Sequence, residues 1–243
     1  MIHSDYKKLY SNALKEYSPK FKKELQRQID EYCDTLNFNA ITGAGLEKTI
    51  KDLHFSLGVK MASIAYKDVK KQGKKSIYYE SKGVLTDIWK SVIFGWLDKK
   101  GLTKLVKEIT DTTKEQIRRY LIKSQEENLP LNATIKLLKE SGITNYRAEL
   151  IARTETSKAA NLGSMVGAIS TGISADKMWI STMDSRTRRT PPAEFDHLEM
   201  NGTTIAIDEY FRLYAKNGGW EDLLHPGDDN ASAANVCNCR CTI

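Results

Sequence analysis

The chain has 243 residues, 40% hydrophobic and 28% charged, with a net charge of +6, the make-up of a soluble globular protein of one or two domains. No apolar run approaches the roughly 20 residues needed to span a bilayer, and the opening Met1–Lys8 has no apolar stretch of the secretory kind. A membrane protein is excluded, and synthesis and use in a reducing cytoplasm, or in a particle assembled there, is expected. Four cysteines are too few for a disulfide scaffold in a chain long enough to build an ordinary core.

The charge is unevenly spread. Residues 1–150 hold 28 Lys+Arg against 19 Asp+Glu, and residues 151–243 hold 9 against 12, so a basic first part precedes a mildly acidic second part with different partners expected for each. The densest basic stretch is Lys67, Lys70, Lys71, Lys74, Lys75 and Lys82, with Tyr78 and Tyr79 beside it. It reads either as a solvated connection or as a surface for phosphates, which lysines touch without reading base sequence.

In chain order, Tyr6, Leu9, Tyr10, Ala13, Leu14 and Tyr17 follow the three-four spacing of a helix face. Pro19 predicts an interruption or restart, and Phe21, Leu25, Ile29 and Tyr32 continue the stripe. A turn is expected over Asn37–Gly45, then a near-heptad seam of Leu46, Ile50, Leu53, Leu57, Met61 and Ile64, which marks a bundle core rather than a cofactor site. Gly73 lies in the lysine-rich connection. Leu85, Ile88, Trp89, Val92, Ile93, Trp96 and Leu97 form the next apolar face, ended by Gly101. Thr103 is the expected cap of a helix carrying Leu105, Val106, Ile109, Ile117, Tyr120 and Leu121. Pro130 stops it. Helices follow over about Asn132–Lys139 and from Thr144 past Gly163, with Gly142 as the break between them.

Near Gly172 the pattern changes. Lys177–Thr182 predicts a strand, Asp184–Pro192 a loop, and Gly202 with Thr203–Ile207 a turn and second strand. Gly218-Gly219 and Pro226–Asn230 are loops. Cys237, Cys239 and Cys241 alternate at the end, so in an extended chain they share one face, opposite Asn238, Arg240 and Thr242. A terminus usually frays, and a row of small, often buried side chains predicts a strand docked in the core. In a straight strand the outer sulfurs stand roughly 13 Å apart at about 3.3 Å per residue, too far to share one ion. The expected fold is therefore α+β, a mainly helical N-terminal region over residues 1–143 followed by a small α+β domain over 144–243 that ends in a core strand.

Several features of the second region occur in one order. They are Ile151-Ala152-Arg153-Thr154-Glu155-Thr156 on a helix, Trp179 on a strand, Asp184-Ser185-Arg186-Thr187-Arg188, His197, Gly202, Pro226-Gly227-Asp228 and the closing Asn238-Cys239-Arg240-Cys241-Thr242. This constellation, over roughly residues 145–243, resembles the phage Mu F-like head-morphogenesis family, the minor head proteins of tailed bacteriophages. The resemblance implies a structural minor head protein that acts in capsid assembly at or near the portal. Its implied partners are portal and capsid proteins, and in some members the packaged DNA; the charge split separately makes Lys70, Lys71, Lys74 and Lys75 the expected non-specific contacts to double-stranded DNA. Its implied location is the virion head, with the host cytoplasm during assembly. Arg153, Glu155, Trp179, Asp184, Arg186, His197, Gly202, Pro226, Gly227, Asn238, Cys239, Arg240 and Cys241 are the family-motif residues, expected to be structural.

Some family members resemble Asp-x-Arg-Thr-Cys-x-x-Cys followed by His-Pro-x-Cys-Arg-Cys, which suggests a metal site. Here Arg188 stands at the first of those cysteines, and a loop containing Gly227 and Asp228 separates His225-Pro226 from the terminal cysteines. No cofactor is expected. The alternative is zinc on His197, Cys237, Cys239 and Cys241. Asp184 and the nearby arginines read as a loop pinned by an Asp–Arg network, with Asp184 also a candidate acceptor for Arg153. The other reading of Arg186, Arg188 and Arg189 is anion or nucleic-acid contact. Arg153 and Glu155, two apart on a helix, are expected to meet different partners.

No catalytic residue is expected. The His-x-Glu and Pro-Cys-x-x-Cys pattern of zinc deaminases and the phosphate-binding glycine loop are both missing. A Cys239–His197 nucleophile pair has nothing to single out one cysteine. A toxin-like transferase acting through Arg153 and Glu155 is set aside because the chain ends at the motif, where no appended effector is expected. The alternative functions are a non-specific nucleic-acid-binding protein of a mobile element and a metal-dependent hydrolase using His197 and the cysteines.

Overall fold

Three-four spacing carries Tyr6, Ala13, Tyr17, Phe21, Leu25 and Ile29 down the buried face of helix α1 (His3–Thr35). The computed structural model describes residues 3–73, 82–99 and 101–243, so Lys74, Lys75, Tyr78 and Tyr79 lie outside the described residues. The interruption expected at Pro19 does not occur. Pro19 is exposed, so the carbonyl it leaves unbonded one turn earlier faces water, while buried residues on either side hold the helix in line.

A short 3-10 turn (Phe38–Ala40) leads into α2 (Ala44–Gln72). Leu46, Ile50, Leu53, Leu57 and Met61 are buried along it. Ile64, the next residue of the predicted seam, is only half-buried, and Ala65 takes the buried place, because a 3.6-residue turn drifts away from a strict heptad. In α3 (Lys82–Lys99) the buried row is Leu85, Trp89, Ile93 and Leu97. Ile88 and Val92 are exposed, so the apolar face is wider than the surface it covers.

Gly101, at φ 84°, turns the chain into α4 (Leu102–Glu126). Thr103 is therefore inside the first turn and not the cap: the left-handed turn that glycine permits fixes the start two residues earlier. Pro130 precedes α5 (Leu131–Glu140), and Gly142, at φ 65°, separates α5 from α6 (Ile143–Ile169).

Helix α6 is the axis of the molecule. From Thr154 to Ala168 all of its residues are buried, and its most extensive contact is with α2. Small residues permit this approach. A methyl group added at Gly163 would overlap the backbone of Gly58, and one at Gly167 that of Ala62. One apolar cluster joins α1, α2 and α4 to Ala148, Ala152, Ala159 and Ala160 of α6. A second joins α2 and α3 to Leu162, Met165 and Val166.

After α6 the chain forms two small antiparallel sheets. Strand β1 (Asp176–Met178) pairs with β2 (Thr204–Ala206), and β3 (Phe211–Tyr214) pairs with β4 (Trp220–Leu223). The second hairpin is not among the predicted elements, although Phe211 and Leu213 are buried and Arg212 and Tyr214 exposed in strict alternation. Trp179, Phe195, Phe211, Leu213, Leu223, Cys239 and Cys241 make the core of this region. The architecture is α+β, a helical N-terminal region followed by a small β-containing C-terminal region.

The chain's last residues belong to that core, with one correction to the predicted cysteine row. Helix α7 (Ala233–Val236) precedes Cys237, which is exposed, and Asn238 turns left-handed at φ 59°. That turn breaks the alternation, so only Cys239 and Cys241 share the buried face. Beyond it the chain docks through one two-bond bridge, Ile180 N–H to Thr242 O at 2.8 Å and Thr242 N–H to Ile180 O at 2.9 Å.

Candidate functional site

The family-motif residues gather where α6 meets the loops and the terminal segment. Asn161 of α6, fully buried, donates through Nδ2 to Pro226 O (2.9 Å) and Cys241 O (3.0 Å) and accepts from Ile243 N–H (3.3 Å). One amide thus ties helix, loop and terminus together. Two helical turns earlier, Thr154 Oγ1 accepts from Asn238 N–H (2.8 Å). Gly227 makes its turn at φ 82° against Lys158, and Gly202 turns at φ 87° into β2, conformations that side-chain-bearing residues avoid.

Glu155 and Arg153 face different surroundings. Glu155 is buried, with one oxygen 3.1 Å from His54 Nε2 and the other 3.0 Å from Lys158 Nζ. Lys158 also pairs with Asp229 at 2.5 Å. Burial alone would raise the Glu155 carboxyl, but the Lys158 charge and the His54 hydrogen bond overcome it and hold it below its ordinary value. Burial would likewise lower Lys158, yet Glu155 and Asp229 raise it. Both stay charged. Arg153 is at the surface of α6, paired with Glu149 at 3.0 Å, and its own carbonyl accepts from Tyr10 Oη at 3.4 Å.

The acceptor expected for Arg153, Asp184, belongs instead to Arg240. The Arg240 fork grips the Asp184 carboxylate at 2.5 and 2.6 Å, and Asp184 Oδ1 also accepts from Arg186 N–H at 2.9 Å. Arg153 already has Glu149 one turn away on its own helix, which is the nearer solution. The Arg240 hydrogen bonds hold the Asp184 carboxyl far below the usual carboxylate range. Arg188 donates to Cys237 O, and Arg186 and Arg189 are exposed.

Inside this frame His197 stands edge-on to Trp179, ring centroids 5.3 Å apart. Its tautomer follows from its partners. Asn235 Nδ2 donates to Glu221 Oε2 at 2.7 Å, so Asn235 Oδ1 is the atom 2.8 Å from His197 Nε2, and Nε2 carries the proton. Nδ1 then presents its lone pair to Cys239 Sγ (3.5 Å) and Cys241 Sγ (3.6 Å). The three ligand atoms lie within 4.8 Å of one another, all buried, a set capable of coordinating zinc. Cys237, the fourth member of the sequence-based set, is exposed and outside it.

The donor set fills three corners of a tetrahedron. Ser181 Oγ, 3.8 Å from Cys241 Sγ, already donates to His197 O, and a neutral hydroxyl is a poor zinc ligand. A lone pair facing two thiols is also complete as a hydrogen-bonded pair without metal. Protein purified without added zinc is expected to contain well under one zinc per chain by elemental analysis. One tightly held zinc per chain, with unfolding on chelation, would overturn this.

Sequence reasoning missed His54, Lys158, Asn161, Lys177 and Asn235. Lys177 is buried and donates to three carbonyls, those of Ile207, Glu209 and Leu224, at 2.9, 2.5 and 2.7 Å. Burial lowers its ammonium group to about 8. The available signal was Lys158 and Asn161 three and six residues beyond Glu155 on the same helix, among small residues only. Lys70 and Lys71 occupy the last turn of α2, Lys71 exposed and Lys70 Nζ 5.5 Å from the Tyr66 ring centroid.

These side chains close on one another and staple a core, the arrangement of a structural protein domain. Residues 100–243 match the model of the family described as Phage Mu protein F like protein, and the chain belongs to that family. The match begins at α4, upstream of the region that carries the sequence motifs. Membership supports a general head-morphogenesis role of the Mu F-like kind. Over 147 residues the chain is also 26% identical to "NAD(+)--arginine ADP-ribosyltransferase EFV" of Enterococcus faecalis, a match covering 59% of this chain and 28% of that protein. The chain thus spans little more than a quarter of that relative's length. No solved structure matches. No helix among the described residues is long and apolar enough to cross a membrane.

Proposed function

We propose that the chain is a minor head protein that helps build or complete the capsid at or near the portal and resides in the virion head. Portal and capsid proteins are its partners in this reading, and the α+β part over residues 144–243 is its head-morphogenesis domain, with residues 1–143 as a helical, lysine-rich region. The observation that carries the reading is the family match, which extends from α4 to the last residue. Mass spectrometry of purified virions should find the chain at low copy, and it should copurify with the portal protein. Its absence from virions would sink the proposal.

The charge split adds a contact with packaged DNA through the basic first part. On α4, Lys104 and Lys107 pair with Glu108 and Asp111, and Arg118 and Arg119 share Glu115, while Lys70 and Lys71 stand next to each other at the end of α2, which favours that end as the phosphate surface. Binding should be non-specific and fall steeply with salt. Replacing Lys70, Lys71, Lys74 and Lys75 by Gln should reduce the salt slope by roughly 0.9 for each lost phosphate contact, with the fold intact. No binding by the full chain at low salt would remove the DNA contact while leaving the head role standing.

A further inference from the structure

We propose that the cavity between α1, α6 and the terminal segment is a nucleotide-binding site, with the phosphate on its arginines and the base against its tyrosine pair. The cavity has a volume of about 380 Å³ and is lined by Lys7, Arg153, Arg186 and Arg240 together with Tyr6 and Tyr10. No carboxylate side chain lines it. Glu149 and Asp184 pair with Arg153 and Arg240 from outside the lining. Those pairs fix two guanidinium groups and leave N–H donors of each fork uncommitted, since a guanidinium carries five. Lys7 and Arg186 are exposed and make no ion pair among the described residues. Lys7 and Arg186 thus leave two uncompensated positive charges at the cavity, which an anion there would answer.

The second half of the argument is aromatic. Tyr10 is half-buried and stacked on Tyr6, centroids 5.9 Å apart at an interplanar angle of 20°. The Tyr6 ring is buried behind it, with its hydroxyl beside Thr242, so Tyr10 is the more open of the two rings. Arginine forks match phosphate geometry, and a flat ring matches a stacked aromatic pair. An anion alone would not need the tyrosines, and a flat apolar ligand would not need the arginines. A nucleotide unit uses both. The unit is either a free mononucleotide or part of a single strand, and the same chemistry recognises each. The site is separate from the α2 lysines, so it stands or falls independently of them.

The test titrates the full chain at low salt with thymidine 5′-monophosphate, inorganic phosphate and a short oligodeoxythymidylate. The mononucleotide should bind saturably at one site, on the order of tenfold tighter than inorganic phosphate because of stacking. Arg186→Gln should weaken it about tenfold. Arg189→Gln, which removes an equally exposed arginine outside the cavity, should not, and both variants should melt like the parent chain. An oligonucleotide that binds tighter than the mononucleotide and loses that advantage in Arg186→Gln identifies a strand as the source, and an advantage that Arg186→Gln leaves intact, or none, a free nucleotide. The proposal fails if no saturable binding occurs at millimolar mononucleotide, if phosphate binds as well as the nucleotide, or if the two arginine variants behave alike.

Discussion

Deleting residues 236–243 should yield aggregated or protease-sensitive protein. The segment removes Val236, Cys239 and Cys241 from the C-terminal core, breaks the Ile180–Thr242 bridge and leaves Asp184 without its Arg240 fork. It also strips Asn161, at the centre of α6, of the Cys241 carbonyl and the Ile243 amide. A buried polar group left unpaired costs about 1–3 kcal/mol, and each buried apolar side chain lost roughly 1.5–3 kcal/mol. Together these reach the range of a domain's whole stability, about 5–15 kcal/mol. A truncated protein with the parent's melting temperature and solubility would show that the terminus is an ornament on a self-sufficient core.

Lys158→Met should cost about 3–5 kcal/mol of unfolding free energy, read from urea midpoints at constant slope. The variant keeps the volume but leaves Glu155 fully enclosed with only His54 to answer its charge, and the half-buried Asp229 without its ion pair. Adding Glu155→Gln should recover part of the loss, because it withdraws the stranded charge. The pH dependence has a fixed sign. The folded Glu155 carboxyl is held below its ordinary value, so its contribution is complete above the unfolded value of about 4.3 and is lost as pH falls through the lower folded one. Lys158 is raised, so its contribution is complete below about 10.4 and is lost only as strong alkali passes the folded value. A Lys158→Met protein as stable as its parent at neutral pH would mean that the network is solvated and not a buried ion cluster.

Helices α1 and α2 were legible because each buries a stripe, and the three-four spacing of Tyr17, Phe21, Leu25 or of Leu46, Ile50, Leu53 leaves no other reading. The cysteine row was legible in part. Period two placed Cys239 and Cys241 together, but nothing local announces that Asn238 turns left-handed and sends Cys237 to the surface. The β3–β4 hairpin went unread because the five residues from Ala215 to Gly219 make the turn and the strands span only four residues each. The site was legible as an order of residues and not as a set of contacts. Arg240 reaches Asp184 across 56 positions, and His54 reaches Glu155 across 101. Such pairings depend on how α6 lies against its neighbours, which the sequence records only as an unusual supply of small residues.

Those small residues have a further effect. At Gly163 and Gly167 the backbone of α6 rests directly on that of α2 at Gly58 and Ala62, so the contact contains no side chain whose size could drift or be compensated elsewhere. It fixes the rotational phase of α6. Every group that α6 delivers to the C-terminal region, Thr154, Glu155, Lys158 and Asn161 among them, lies within about three turns of that contact. One residue inserted between Asn161 and Gly163 would swing all four by about 100°, away from Asn238, His54, Asp229 and the Pro226 loop at once. The glycines thus act as a keyway: they carry none of the chemistry, and they set the angle at which all of it is presented.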